Sequence, residues 1–150
     1  MALRNIVYSD DSLIRKKSKV VTEFDEKLDV LLDDMKETMR HNDGVGLAAV
    51  QVGVLKRVVV IEACGQYFEL VNPKILSQEG SQIGVEGCLS VKNITGEVER
   101  PERITVNAQN RYGDNMVFTL EGLLAVVVCH EVDHLDGILF IDKMKKKVER

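Results

Sequence analysis

The sequence predicts an α+β fold: a single domain over residues 1–150 in which antiparallel β-sheets pack around a central helix. Three observations lead there. Short apolar runs of strand character lie in the middle of the chain, a leucine and methionine stripe precedes them at helical spacing, and one dense apolar segment follows them. At 150 residues and 45% hydrophobic content, the chain can bury a substantial core.

The elements follow in order. Phe24, Leu28, Leu31, Leu32, Met35 and Met39 predict a core-packed helix over about 25–41 that stops before Asn42-Asp43-Gly44. Gly44-Val45-Gly46-Leu47-Ala48-Ala49-Val50-Gln51 then reads as a glycine-rich turn in which Gly44 and Gly46 let backbone approach a ligand and Gln51 offers an amide donor. A phosphate cradle fits poorly, because no lysine-serine or lysine-threonine pair follows the glycines. Arg57 to Ile61 reads as a buried strand, with Tyr67 to Val71 its hairpin partner across Gly65. Residues 103–108 alternate, turn at 112–115, and return through 116–120. Gly122 opens the central helix, which ends near Gly137. The basic tail, Lys143 to Arg150, reads as a solvated final helix. Repeats, linkers and low-complexity stretches are absent.

Composition excludes several classes. No stretch approaches the roughly 18 apolar residues needed to cross a membrane, and the first residues lack the apolar region of a secretory signal. Three unevenly spaced cysteines argue against a disulfide framework and for a reducing, cytoplasmic setting. A net charge of −4 and a pI near 5.4 argue against DNA or other nucleic acid as the main ligand.

The central helix carries the chemistry. It ends in His130-Glu131-Val132-Asp133-His134. Residues four apart on a helix lie only about 40° apart around its axis, so both imidazoles reach one metal ion while Glu131 is placed to serve as a base. An ordinary charged helix yields the same string by chance. Here, though, Leu120, Leu123, Leu124, Val126, Val127 and Val128 lead into it, and histidines and acids at the end of so apolar a run call for a neutralising cation. The third ligand is not downstream, since the metzincin spacing falls on Phe140 and the only later acid of the thermolysin kind is Glu149 in the tail. Of the cysteines, Cys129 points about 100° away from its neighbour His130 and reads as core, and Cys64 reads as a structural residue at a strand end. Cys88, in Gly84-Val85-Glu86-Gly87-Cys88-Leu89-Ser90, sits where glycines let a loop bend and expose its sulfur; a small buried loop residue is the alternative. A thiolate and two imidazoles suit a tetrahedral divalent site with one position open, the parts of a metal-dependent hydrolase.

Taken together, Gly44-x-Gly46-Leu47-Ala48-Ala49-x-Gln51, Glu86-Gly87-Cys88-Leu89-Ser90 and His130-Glu131-x-Asp133-His134 closely resemble the peptide deformylase family in type, order and spacing, over essentially the whole chain. The resemblance implies hydrolysis of the formyl group from the formylmethionine that begins nascent polypeptides, releasing formate. It implies Cys88, His130 and His134 as metal ligands, Glu131 as the proton carrier, and Gln51 with the Leu89 backbone N–H as donors to the developing oxyanion. It further implies ferrous iron as the occupant, with zinc, nickel or cobalt as substitutes, and a buried pair between Glu86 and Arg100. Val45, Leu123, Val126 and Val127 are the candidate methionine pocket, and the backbone of Gly44 to Gly46 would pair with the extended peptide. Asp133 would hold a histidine or a nearby backbone group, and the basic tail is a candidate contact with the ribosome surface. Several positions depart from the family pattern. Lys92 and Thr95 replace a frequent proline and arginine, Cys129 a common glutamine and Val50 a frequent proline, while Tyr8-Ser9-Asp10 lacks an expected proline. Lys92 and Thr95 bear on contacts with the peptide rather than on the ligands.

Overall fold

The computed structural model describes residues 2–149. Helix α1 spans Glu26–His41, and the Asp25 side chain caps it by accepting from the Leu28 N–H at 3.1 Å. Five antiparallel strands form one sheet in the order β1-β2-β3-β6-β7: Gly46–Ala48, Val58–Ala63, Gln66–Glu79, Arg103–Gln109 and Asn115–Glu121. A second antiparallel sheet, in the order β4-β5-β8, holds Gln82–Cys88, Val91–Arg100 and Lys146–Val148. Helix α2, Leu123–Leu135, packs against both sheets, and the short α3, Phe140–Lys143, follows it.

Strand β2 explains the layering. Its run of Val58-Val59-Val60-Ile61 is buried on both faces, so it reads as a continuous apolar stretch rather than an alternating one. Val58 and Val60 pack with Leu28, Leu32, Met35 and Met39 of α1. Val59 and Ile61 pack on the other side with Val127 and Val128 of α2 and with Val91 and Val98 of β5. The β2–β3 hairpin closes through Cys64 and Gly65, both with positive φ (55° and 73°), the geometry that matches strand twist in a two-residue turn.

The helix over residues 25–41, the 57–61 and 67–71 hairpin, the 103–120 hairpin and the helix opening at Gly122 all stand where the sequence puts them. Two expectations need correction. Cys88 is not in a loop: it is the last residue of β4, and in the register shift between Glu86 and Cys88 the extra residues, 92–95, lie on the facing strand β5. Cys64 stands where the sequence puts it, at the strand end entering the β2–β3 turn, and is exposed there. The tail is not a solvated helix, for β8 joins the edge of β5 through the pairs Thr95–Val148, Gly96–Lys147 and Glu97–Lys146. Gly96 permits that docking, because a Cβ there would collide with Met144 Sδ.

Candidate metal centre and cleft

Helix α2 brings the two histidines to one place and the β4–β5 hairpin brings the thiol. One ligand atom each from Cys88, His130 and His134 lies within 4.8 Å of the others, with Cys88 Sγ 3.3 Å from His134 Nε2. His130 and His134 are buried, and Cys88 is half-buried. The rings meet edge to face with centroids 5.1 Å apart, and the buried Phe140 ring stacks along His130 at 6.1 Å.

The polar surroundings orient these groups. His130 Nδ1 lies 2.9 Å from Glu86 Oε1, which leaves its Nε2 for the cluster. Glu86 is gripped in turn by Arg100, whose Nε and Nη2 donate at 2.9 and 2.8 Å in a bidentate pair, as the resemblance implied. Asp133 does not hold a histidine or backbone group; it accepts from Arg100 Nη1 at 2.7 Å and pairs with Lys143. Two acids on two elements thus converge on one buried guanidinium. Gln51 is fixed at both ends of its amide: its Oε1 accepts from the Ala48 N–H at 2.9 Å, while its Nε2 donates to Ser90 Oγ at 3.1 Å and lies 3.6 Å from Cys88 Sγ. Ser90, fully buried, is a positioning group that the sequence offered only as the last letter of a motif.

Electrostatics test whether a cation fits. Burial pushes the Glu131 carboxyl up to about 7 and, with the neighbouring His130 charge, holds His134 well below the usual imidazole range, so that it is neutral. Burial would also lower His130, but the Cys88 thiol, the Glu131 charge and Glu86 outweigh it and push it up to about 10. The cluster therefore calls for positive charge among a thiol and carboxylates. Among the described residues, Glu131 Oε1 and His134 Nδ1 are both buried with no hydrogen-bond partner. A sulfur, two imidazole nitrogens and an idle carboxylate suit a borderline-soft divalent cation.

Cys88, His130 and Glu131 line the floor of a cleft of about 970 Å³. Gly44, Val45, Gly46, Leu123, Val126 and Val127 all line it, as do Gln51 and Leu89. The sequence reading of Gly46 as room for a ligand shifts, however: a Cβ there would sit 2.6 Å from Glu131 Oε2 and 2.9 Å from Val127 Cγ1. Gly46 makes room for the acid itself. Gly46→Ala is thus expected to displace Glu131 and lower kcat by about 100-fold, the usual consequence of moving a reacting group by about an ångström. Unchanged metal content with wild-type kcat would refute this.

Comparison with known proteins agrees with the geometry. The family described as polypeptide deformylase matches residues 3–150. A peptide deformylase of Caldicellulosiruptor bescii is 60% identical over 96% of this chain and 87% of its own length. One from Acetivibrio thermocellus is 54% identical over 99% and 88%. Among solved structures, the Thermotoga maritima peptide deformylase superposes with a TM-score of 0.94 at 42% identity, over 97% of this chain and 99% of that one. Removal of N-terminal formyl groups by metal-dependent hydrolysis is what such enzymes do. Matching over nearly the full length in both sequence and fold, with a thiol and two imidazoles gathered beside a carboxylate, the chain belongs to the polypeptide deformylase family.

Proposed function

We propose that the chain hydrolyses the formamide of formylmethionine at the start of nascent polypeptides, with Cys88, His130 and His134 holding the metal and Glu131 carrying the proton. The observation that carries this reading is the partnerless, buried Glu131 carboxylate beside that ligand trio. When bound, a divalent cation supplies Lewis acidity there, lowering the pKa of water and polarising the substrate carbonyl. Glu131 takes a proton from the water that attacks the formyl carbon, then delivers it to the departing α-amine as the C–N bond breaks, leaving formate. Burial raises the Glu131 carboxyl above the usual carboxylate range, which suits a group that must both take and return a proton. As charge grows on the formyl oxygen, the Gln51 amide and the Leu89 N–H donate to it. The edge of β1 with Gly44 and Val45 pairs with the extended peptide, and the methionine side chain lies against Val126, Val127 and Leu123.

Ferrous iron is the proposed occupant, with zinc, nickel or cobalt able to replace it. The setting is the cytoplasm, consistent with the free cysteines and with the lack, among the described residues, of any helix long and apolar enough to cross a membrane. The ribosome surface is a proposed partner of the tail, where Lys146 and Lys147 are exposed; unchanged co-sedimentation with ribosomes after neutralising the tail lysines would remove it.

Formate release decides the reaction. Formyl-Met-Ala-Ser should be cleaved and acetyl-Met-Ala-Ser left intact, whereas equal rates would point to a general amidase using the same ligands. A chelator should abolish turnover and ferrous iron restore it, with the restored activity decaying in air. Full activity after complete metal removal would overturn the assignment, and a metal retained without any turnover would favour a purely structural staple.

A further inference from the structure

We propose that Lys92 and Lys147 form a cationic rim on one wall of the cleft, which favours substrates carrying an acidic side chain in one of the two residues after the formylmethionine; this rests on the deformylation reading above. The tail that the sequence offers as a solvated helix is instead the third strand of the second sheet, and Lys147, Val148 and Glu149 line the cleft. The wall is anchored. Thr95 Oγ1 donates to the Val148 carbonyl at 2.7 Å, the Lys145 N–H donates to the Glu97 carbonyl at 2.8 Å, and Met144 occupies the space above Gly96.

Lys92 stands at the start of β5 on the same wall, its Nζ 4.1 Å from the centre of the Tyr8 ring. Neighbouring lysines have carboxylate partners, Lys143 with Asp133 and Lys145 with Glu99, but among the described residues Lys92 and Lys147 have none. Their charge is therefore available to a ligand.

The other charges facing the cleft define the sign. Glu149 shares the wall and offsets part of it, and Asp43, two residues past the end of α1, also lines the cleft. Glu86 is already satisfied by Arg100, and Glu131 lies at the floor. Successive side chains of an extended peptide point to opposite sides. A side chain directed to the β5–β8 wall meets the two lysines, and the next one points away from them. The preference is thus confined to one position. That separates it from the long-range field of the whole molecule, whose net charge of −4 would favour basic peptides at every position.

The test compares kcat/KM for C-terminally amidated formyl-Met-Glu-Ala against formyl-Met-Lys-Ala, and formyl-Met-Ala-Glu against formyl-Met-Ala-Lys, at low salt. At one position only, glutamate should exceed lysine by about 1.5- to fivefold, the range for exposed charge pairs. Lys92→Ala with Lys147→Ala should bring that ratio to unity or below it, and Lys92→Glu with Lys147→Glu should invert it. Each ratio is taken within one preparation, so partial unfolding of a variant cancels. A wild-type ratio of one at both positions, or a ratio unchanged in the double variants, overturns the proposal. Failure of the wild type to cleave formyl-Met-Ala-Ala amide would instead overturn the deformylation reading.

Discussion

Glu131→Gln is expected to lower kcat by roughly 10²–10⁴-fold while leaving bound metal at the wild-type level. Glutamine has nearly the same shape, so Gly46 and Val127, which press against this side chain, keep their contacts. Metal retention follows because Glu131 lies outside the ligand trio. What the amide lacks is the capacity to accept a proton and return it. Burial raises the carboxyl above the usual carboxylate range, which makes it a readier proton acceptor, and the amide removes that capacity. Steady-state kinetics beside metal analysis of the same preparation checks the prediction. A joint fall in metal content and turnover would mean that Glu131 is a structural or ligating residue.

The largest effect on stability should come from Arg100→Leu, which we expect to cost about 3–5 kcal/mol, the usual penalty for leaving a buried charge unpaired. Arg100 is buried and makes three charge-assisted hydrogen bonds: two to Glu86, which in turn sits against His130, and one to Asp133. Leucine fills part of the volume but strands Glu86 in an apolar setting. The effect should depend on pH with a definite sign. Burial alone would raise the Glu86 carboxyl, but Arg100 and His130 outweigh it and lower it from 4.5 to about 2. A carboxyl depressed by folding stabilises the protein above its unfolded value and loses that contribution as pH falls through the folded one. The gap between wild type and variant should therefore narrow as pH drops from about 5 toward 2. Urea melts across that window measure it, and a gap that widened on acidification would show that the pair does not hold Glu86 ionised. Metal affinity should also fall, because Glu86 no longer steadies the His130 ring.

The same cluster shows where sequence reading reaches its limit. The helix ending in His130 and His134 was legible because apolar periodicity and an i, i+4 pair both survive in one dimension. The two hairpins at 57–71 and 103–120 were legible because their strands carry valine and isoleucine between turn residues. The β4–β5 hairpin was not, although it delivers Cys88. Its buried positions are Glu86, Thr95, Gly96 and Arg100 beside only Val91 and Val98, so the apolar alternation that marks a strand is missing. Those polar residues are inside because they serve the metal centre and the docking of β8. The tail misled for a related reason: lysines suit a helix end in isolation, and only the docked sheet shows that the edge of β5 was open to pairing. Asp133 likewise reads as a helper of its own helix until Arg100 arrives from 33 residues away in sequence.

Strand β2 has one more consequence. Because its successive side chains enter opposite interiors, the layer around α1 and the layer around α2 share a single partition. Loosening one layer frees the backbone that confines the other, so the two halves are bound to melt together. The ligand-bearing helix, though remote from the first helix, inherits its rigidity from that common wall.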